Sequence, residues 1–189
     1  MRKALYILGS LDDSDIEWIA QHATRTTLNS GETLIRQGHV IDHLYILLEG
    51  QLSVRSGKDG GQEVAVLLSG EIVGEISFVD NRKPTASVIA LQESRLLALK
   101  KAELSMKLSR DYAFASRFYR AIAVFLADRL FATTSRLGYG SPDQDRDYDA
   151  DAIEDSLMDE LSLASIRFDK LLRYLADERS SGSFASMNF

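Results

Sequence analysis

The 189-residue sequence predicts an α+β domain: a small antiparallel barrel or jelly roll of short strands, flanked by helices before and after it. Three observations lead there. From Thr26 to about Ala98, runs of β-forming residues alternate at close spacing with Gly, Asn and Asp punctuation. On either side of that stretch the apolar residues recur at helical spacing instead. The composition, 45% apolar and 26% charged, is ordinary for a chain that buries a core.

Taken in order, SLDDSDIEWIAQHA (10–23) reads as a helix. Ser10 and Asp13 offer capping oxygens, and Ile16, Ile19, Ala20 and Ala23 fall on one face. TTL, TLIRQG, LYILLEG, QLSVRSG, EVAVLL and ASVIAL read as strands, and NSGE and KDGGQ as turns that send the chain back on itself. After Lys100 the helical period returns. Ala102 to Ser109 is a short helix, and Tyr112 to Leu137 a long one with Phe114, Phe118, Ile122, Phe125 and Leu126 on one stripe. Gly138 and Gly140 end it. These elements make one domain over 1–138, followed by an acidic linker over 139–151, an amphipathic helix over 152–177 and a flexible tail over 178–189. In the last helix Leu157, Leu161, Ala164, Phe168, Leu171 and Leu175 are spaced 4, 3, 4, 3 and 4, the seam of a coiled coil. No internal repeat is present.

Several function classes are excluded by what the chain lacks. Without cysteine there are no disulfides, no thiolate catalysis and none of the common structural zinc sites. His22, His39 and His43 are dispersed, and His39 and His43, though four apart, fall in loop and strand, so no metal is expected. There is no signal peptide, and no apolar run approaches the roughly 20 residues of a membrane span, which points to the cytoplasm. No nucleophile elbow, P-loop or metal-ligand cluster marks an enzyme. Between Ser141 and Glu160 nine acids face one base, a charge of −8 in a chain of net −6, so the remainder is +2. Such a segment repels nucleic acid, and the residues after the long helix supply one helix rather than a winged unit, so direct DNA binding is not expected.

One stretch carries a specific resemblance. GEISFVDNRKPTASV (74–88) places a glycine before a carboxylate, then small hydroxyl-bearing residues that lead into an apolar run. Set after a series of short strands turned at Gly31, Gly38 and Gly50, and before a short and a long helix, this pattern resembles the cyclic-nucleotide-binding domain. That domain occurs in the catabolite-activator and Fnr regulators and in protein kinase A regulatory subunits. The resemblance covers about residues 8–138 and implies an eight-stranded β-roll with a cyclic-nucleotide ligand, cAMP or cGMP, and no metal.

The chemistry of the stretch is consistent with that ligand. A cyclic phosphate needs backbone N–H donors that no side chain obstructs, which Gly74 and a short helical turn after it would offer. It also suits a fork of guanidinium donors. By resemblance Glu75 accepts from the ribose hydroxyl. Gly74, Ile76 and Ser77 supply backbone around the sugar-phosphate, and Thr85, Ala86 and Ser87 form the triplet beside the phosphate. The family's phosphate arginine stands immediately before that triplet, where this chain has Pro84. Arg82, two residues earlier, is the candidate for a displaced phosphate partner; the alternatives are a weakened site or one retuned to another ligand. Arg117, Arg120, Arg129 and Thr133 on the long helix are the candidates to close the pocket. The resemblance further implies a homodimer through helix 112–137; the apolar seam of helix 152–177 packs on its own domain, on its twin, or on a protein partner. Two readings follow: a nucleotide sensor that signals through its C-terminal helices, or an adaptor that keeps the β-roll and has lost the ligand.

Overall fold

The computed structural model of the protein describes residues 9–57, 61–136 and 166–167. Helix α1 (Asp13–His22) begins at an N-cap that differs from the expected Ser10 or Asp13. Asp12 is the cap. Its carboxylate accepts the Asp15 N–H at 3.0 Å while Asp15 accepts the Asp12 N–H at 2.9 Å. This reciprocal box needs a side-chain oxygen at the cap and an acceptor three residues on; Asp12 and Asp15 supply both, and of the two Asp15 is buried.

Strands β1 (Thr24–Leu28), β2 (Thr33–Ile35), β3 (His43–Glu49), β4 (Gln51–Ser56), β5 (Gln62–Leu68), β6 (Ile72–Val73), β7 (Ser87–Ala90) and β8 (Ser94–Lys100) follow. They pair antiparallel in two four-stranded sheets, ordered β1-β8-β3-β6 and β2-β7-β4-β5. This is the antiparallel β-roll that the sequence predicts. Two strands escape the alternation argument. β6 has two residues, too few to show a period. β8 is buried on both faces: Leu97 and Leu99 pack against the helices, while Leu96 enters the roll. The hairpin from β3 to β4 depends on Gly50, which has φ +101°. A Cβ there would lie 2.3 Å from Ser94 Oγ and 2.7 Å from Ser94 Cα, so the backbones meet closer than any side chain permits.

Three helices complete the domain: α2 (Glu75–Val79), α3 (Lys101–Arg110) and α4 (Tyr112–Arg136). Two apolar clusters result. One lies inside the roll, between the sheets, around Leu47, Leu52, Leu67 and Leu96. The other joins the outer face of the first sheet to α1, α3 and α4.

The stripe on α4 belongs to this second cluster. Phe114, Phe118, Ile122 and Phe125 are exposed by only 0–4%. The homodimer expected through this helix therefore cannot use these four residues, which the domain's own core covers, with Leu126 partly buried against the same cluster. The opposite side of α4 remains in solvent, with Tyr112, Ser116, Tyr119, Ala123, Ala127 and Leu130 all exposed. An ionic contact also ties α4 to α1. Arg117 donates to both oxygens of Asp15, at 2.6 and 2.9 Å, and lies 2.8 Å from Asp12 Oδ2.

The acidic linker, the tail and all of helix 152–177 except Ile166 and Arg167 fall outside the described residues. Arg167 donates to Asp13 Oδ1 at 3.2 Å and to the Gly9 carbonyl at 2.6 Å.

Candidate functional site

The roll is open at one end. Ile35 of β2, Val54 of β4, Leu67 of β5, Val73 of β6 and Val88 of β7 line a partly open pocket of about 480 Å³ when the solvent at its mouth is included. Its rim is formed by Ile41, the turn from Gly74 to Ser77, the segment Pro84–Ala86 and Arg129 from α4.

Gly74 makes the turn possible. It is the N-cap of α2 with φ +93°, and it lets β6 pass into α2 without an intervening loop. A Cβ at this position would sit 2.9 Å from Ile41 Cδ1 and 3.3 Å from the His43 carbonyl. α2 has no side-chain cap, and N–H groups of a helix's first turn find no partner inside the helix. Glu75 is the first residue of α2 and is buried, with 2% of its surface exposed.

The Glu75 carboxylate meets a partner from α4. Arg129 Nη1 donates to Glu75 Oε1. The same guanidinium lies 4.7 Å from the centre of the Phe125 ring, and its Nη2 is 3.9 Å from Glu71 Oε2. Burial raises the Glu75 pKa above the usual glutamate range. The Arg129 charge and the N–H groups of Glu75 and Gly74 offset that only in part.

Of the residues singled out from sequence, Gly74, Glu75, Ile76, Ser77, Thr85 and Ala86 line one pocket. Two do not. Ser87 Oγ accepts the Gln37 N–H at 3.0 Å. Arg82 stands away from the pocket lining, its side chain 74% exposed and paired with Asp80. The four lid candidates also separate. Arg129 reaches the pocket, Arg117 is spent on α1, Arg120 is exposed, and Thr133 Oγ1 donates to the Arg129 carbonyl at 2.8 Å. The apolar walls were not singled out, nor was Glu71. A signal for Arg129 did exist: it lies four residues beyond Phe125 and continues the spacing of the buried α4 stripe.

No group of three or more His, Cys, Asp or Glu that could hold a metal occurs among the described residues. His43 Nδ1 is 2.6 Å from Asp42 Oδ1 and His39 Nδ1 is 3.1 Å from the Gln37 carbonyl, so each ring has its own local partner. No helix among the described residues is long and apolar enough to cross a membrane.

Comparison with known proteins places this arrangement. The sequence profile of the family described as the cyclic nucleotide-binding domain matches residues 25–111. A cAMP-dependent protein kinase regulatory subunit from Blastocladiella emersonii is 28% identical over 118 residues, which are 61% of this chain and 29% of that one. The chain thus spans less than a third of that relative's length. The solved N-terminal domain of a transcriptional regulator from Streptomyces coelicolor is 31% identical, with a TM-score of 0.56 over 77% of this chain and 99% of that one. A cyclic nucleotide-binding domain from Methylobacillus flagellatus shares the fold, with a TM-score of 0.65 at 18% identity over 76% of this chain and 85% of that one.

Proposed function

Because the chain belongs to the cyclic nucleotide-binding domain family, we propose that it is a regulatory domain rather than an enzyme, and that it takes a cyclic nucleotide, cAMP or cGMP, between the roll and α4. Occupancy is reported through α4 to the residues that follow it. The observation that carries this reading is the buried Glu75 carboxylate at the edge of an apolar pocket, faced by a cation from α4. A carboxylate is costly to bury, and one kept at a pocket wall has a ligand-binding use that outweighs the cost.

The donors and acceptors fit the ligand. Glu75 accepts a ribose hydroxyl, the N–H groups of Ile76 and Ser77 face the sugar-phosphate, and the Thr85 hydroxyl adds a contact beside Ala86. Val54 and Val88 give the base an apolar surface. Calorimetric titration with cAMP and with cGMP tests the reading, and saturable binding of at least one is expected. The presence of Pro84 and the exposure of Arg82 favour the second reading, an adaptor that uses the fold without the ligand. Silence of both titrations at millimolar ligand would establish that one.

The Glu75 shift sets a pH dependence. Its carboxyl takes up a proton at a higher pH than an ordinary glutamate, and the protonated group is a poorer acceptor. Affinity is therefore expected to weaken as the pH falls, beginning above the range in which ordinary Asp and Glu titrate. Binding titrations over a descending pH series check this, and an affinity that holds until ordinary carboxylates titrate would remove Glu75 as the ionised acceptor.

A homodimer through α4 is part of the proposal, on its outer face rather than the Phe114 stripe. Tyr112, Tyr119 and Leu130 lie on one line of that face, with Ser116, Ala123 and Ala127 small enough for close approach. Sedimentation velocity at tens of micromolar is expected to show a dimer that Tyr119→Glu converts to monomer. A monomeric wild type ends the idea.

A further inference from the structure

The pocket offers an anion very little. Among the described residues that line it, Arg129 is the one cation. Arg82 is paired with Asp80 at the surface, Lys83 is exposed, and Pro84 has neither charge nor N–H. Arg129 itself is already held by the buried Glu75, with Glu71 nearby. A ligand bearing a negative charge therefore meets a single guanidinium that is committed to carboxylates.

Resting on the reading that the pocket takes a cyclic nucleotide, we infer that Arg129 is the residue that holds the ligand's phosphate, and that it does so by exchanging partners. The ribose hydroxyl donates to Glu75 in place of the guanidinium. The phosphate accepts from the guanidinium in place of Glu75. Hydrogen bonding survives the exchange, because Glu75 gains the hydroxyl as donor and Arg129 gains the phosphate as an anionic acceptor. A ligand with the hydroxyl alone leaves Arg129 without its carboxylate, and one with the anion alone leaves Glu75 buried and bare. Selection thus falls on ligands that carry both groups.

Two features equip Arg129 for this. Its guanidinium lies against the Phe125 ring, which steadies the plane and leaves the N–H edge to donate. It also sits on α4, so the exchange acts directly on the element that leads out of the domain. The guanidinium is one-third exposed, so it can leave Glu75 without crossing the core.

The test compares wild type with Arg129→Gln and Arg82→Ala, each checked for folding by thermal melt, using cAMP and adenosine as probes. Wild type is expected to bind cAMP at least 10-fold more tightly than adenosine. Arg129→Gln is expected to lose about 10- to 150-fold in affinity for cAMP, the range for a charge-assisted contact. Its affinity for adenosine should hold or rise, so that the two ligands become nearly equal. Arg82→Ala should bind cAMP like wild type. Unchanged or tighter cAMP binding by Arg129→Gln overturns the inference, since Arg129 would then be only a competitor for Glu75. A loss confined to Arg82→Ala overturns it in favour of the loop arginine. If wild type binds neither cAMP nor cGMP, the reading beneath it fails as well, and that outcome is distinct because no variant is needed to see it.

Discussion

Replacing Arg117 by alanine is expected to destabilise the domain by about 3 kcal/mol, near the lower end for breaking a buried ion pair by removing one partner. Asp15 is 1% exposed, and after the substitution it keeps only the Asp12 N–H as a strong partner. The lower end applies because the Arg117 side chain is itself 32% exposed and the Asp12 carboxylate 44%. For a domain of this size the melting temperature should fall by roughly 10 °C. Arg117→Lys restores the charge without the two-pronged geometry and should recover only part of the loss. Asp15→Asn combined with Arg117→Ala should be less damaging than Arg117→Ala alone, since no bare carboxylate remains. Thermal melts of the four proteins decide it, and a double variant less stable than Arg117→Ala would mean that the contact is not a pair.

Glu75→Ala is expected to lower cyclic-nucleotide affinity by about 10- to 150-fold, the effect of removing a charged acceptor from a buried hydroxyl. The same residue should behave in the opposite sense toward folding. Its folded pKa lies above the reference value of 4.5, so folding disfavours the ionised form. Its contribution to stability is then fullest below about pH 4.5 and is lost as the pH rises through the folded pKa. At neutral pH Glu75→Gln, which removes the charge and keeps the shape, should melt at or above the wild-type temperature while binding poorly. Calorimetry and melts on the same samples test both halves. A variant that binds normally, or one that loses binding only because it unfolds, removes Glu75 from the site.

The parts of the molecule readable from sequence are those fixed by neighbours in the chain. Gly50 and Gly74 announce their turns because only glycine accepts φ near +100° at those contacts. The boundaries of α3 and the start of α4 lie within a residue or so of their expected places, because Asp111 ends one helix and caps the next, accepting the Phe114 N–H at 2.9 Å. What was not readable depends on partners far along the chain. Arg117 and Asp15 are 102 residues apart, and nothing local tells Arg117 to face α1 and Arg129 to face Glu75. Both arginines look alike on a helical period. They differ only in what the roll places opposite them. β8 shows no alternation because both its faces are covered, which defeats an argument built on a period of two. Arg82 could not be positioned from spacing, since Asn81, at φ +53°, turns the loop just before it and Asp80 captures it.

The placement of β8 also bears on how the chain is made. It is the last strand in sequence yet pairs with both β1 and β3, so the first sheet is two separated pieces until Lys100 exists. On a ribosome, β3 gains β6 along one edge by Val73, but the edge that β8 fills stays open for about fifty residues after Glu49, that of β1 for about seventy after Leu28, and Leu44, Ile46 and Leu48 stay uncovered meanwhile. Pairings of such long sequence separation close slowly, and strands left open meanwhile are apt to associate with the wrong chain. A nascent chain halted before β8 is thus the vulnerable species, and the interval between the synthesis of Glu49 and that of Lys100 is when a chaperone would be of most use to this protein.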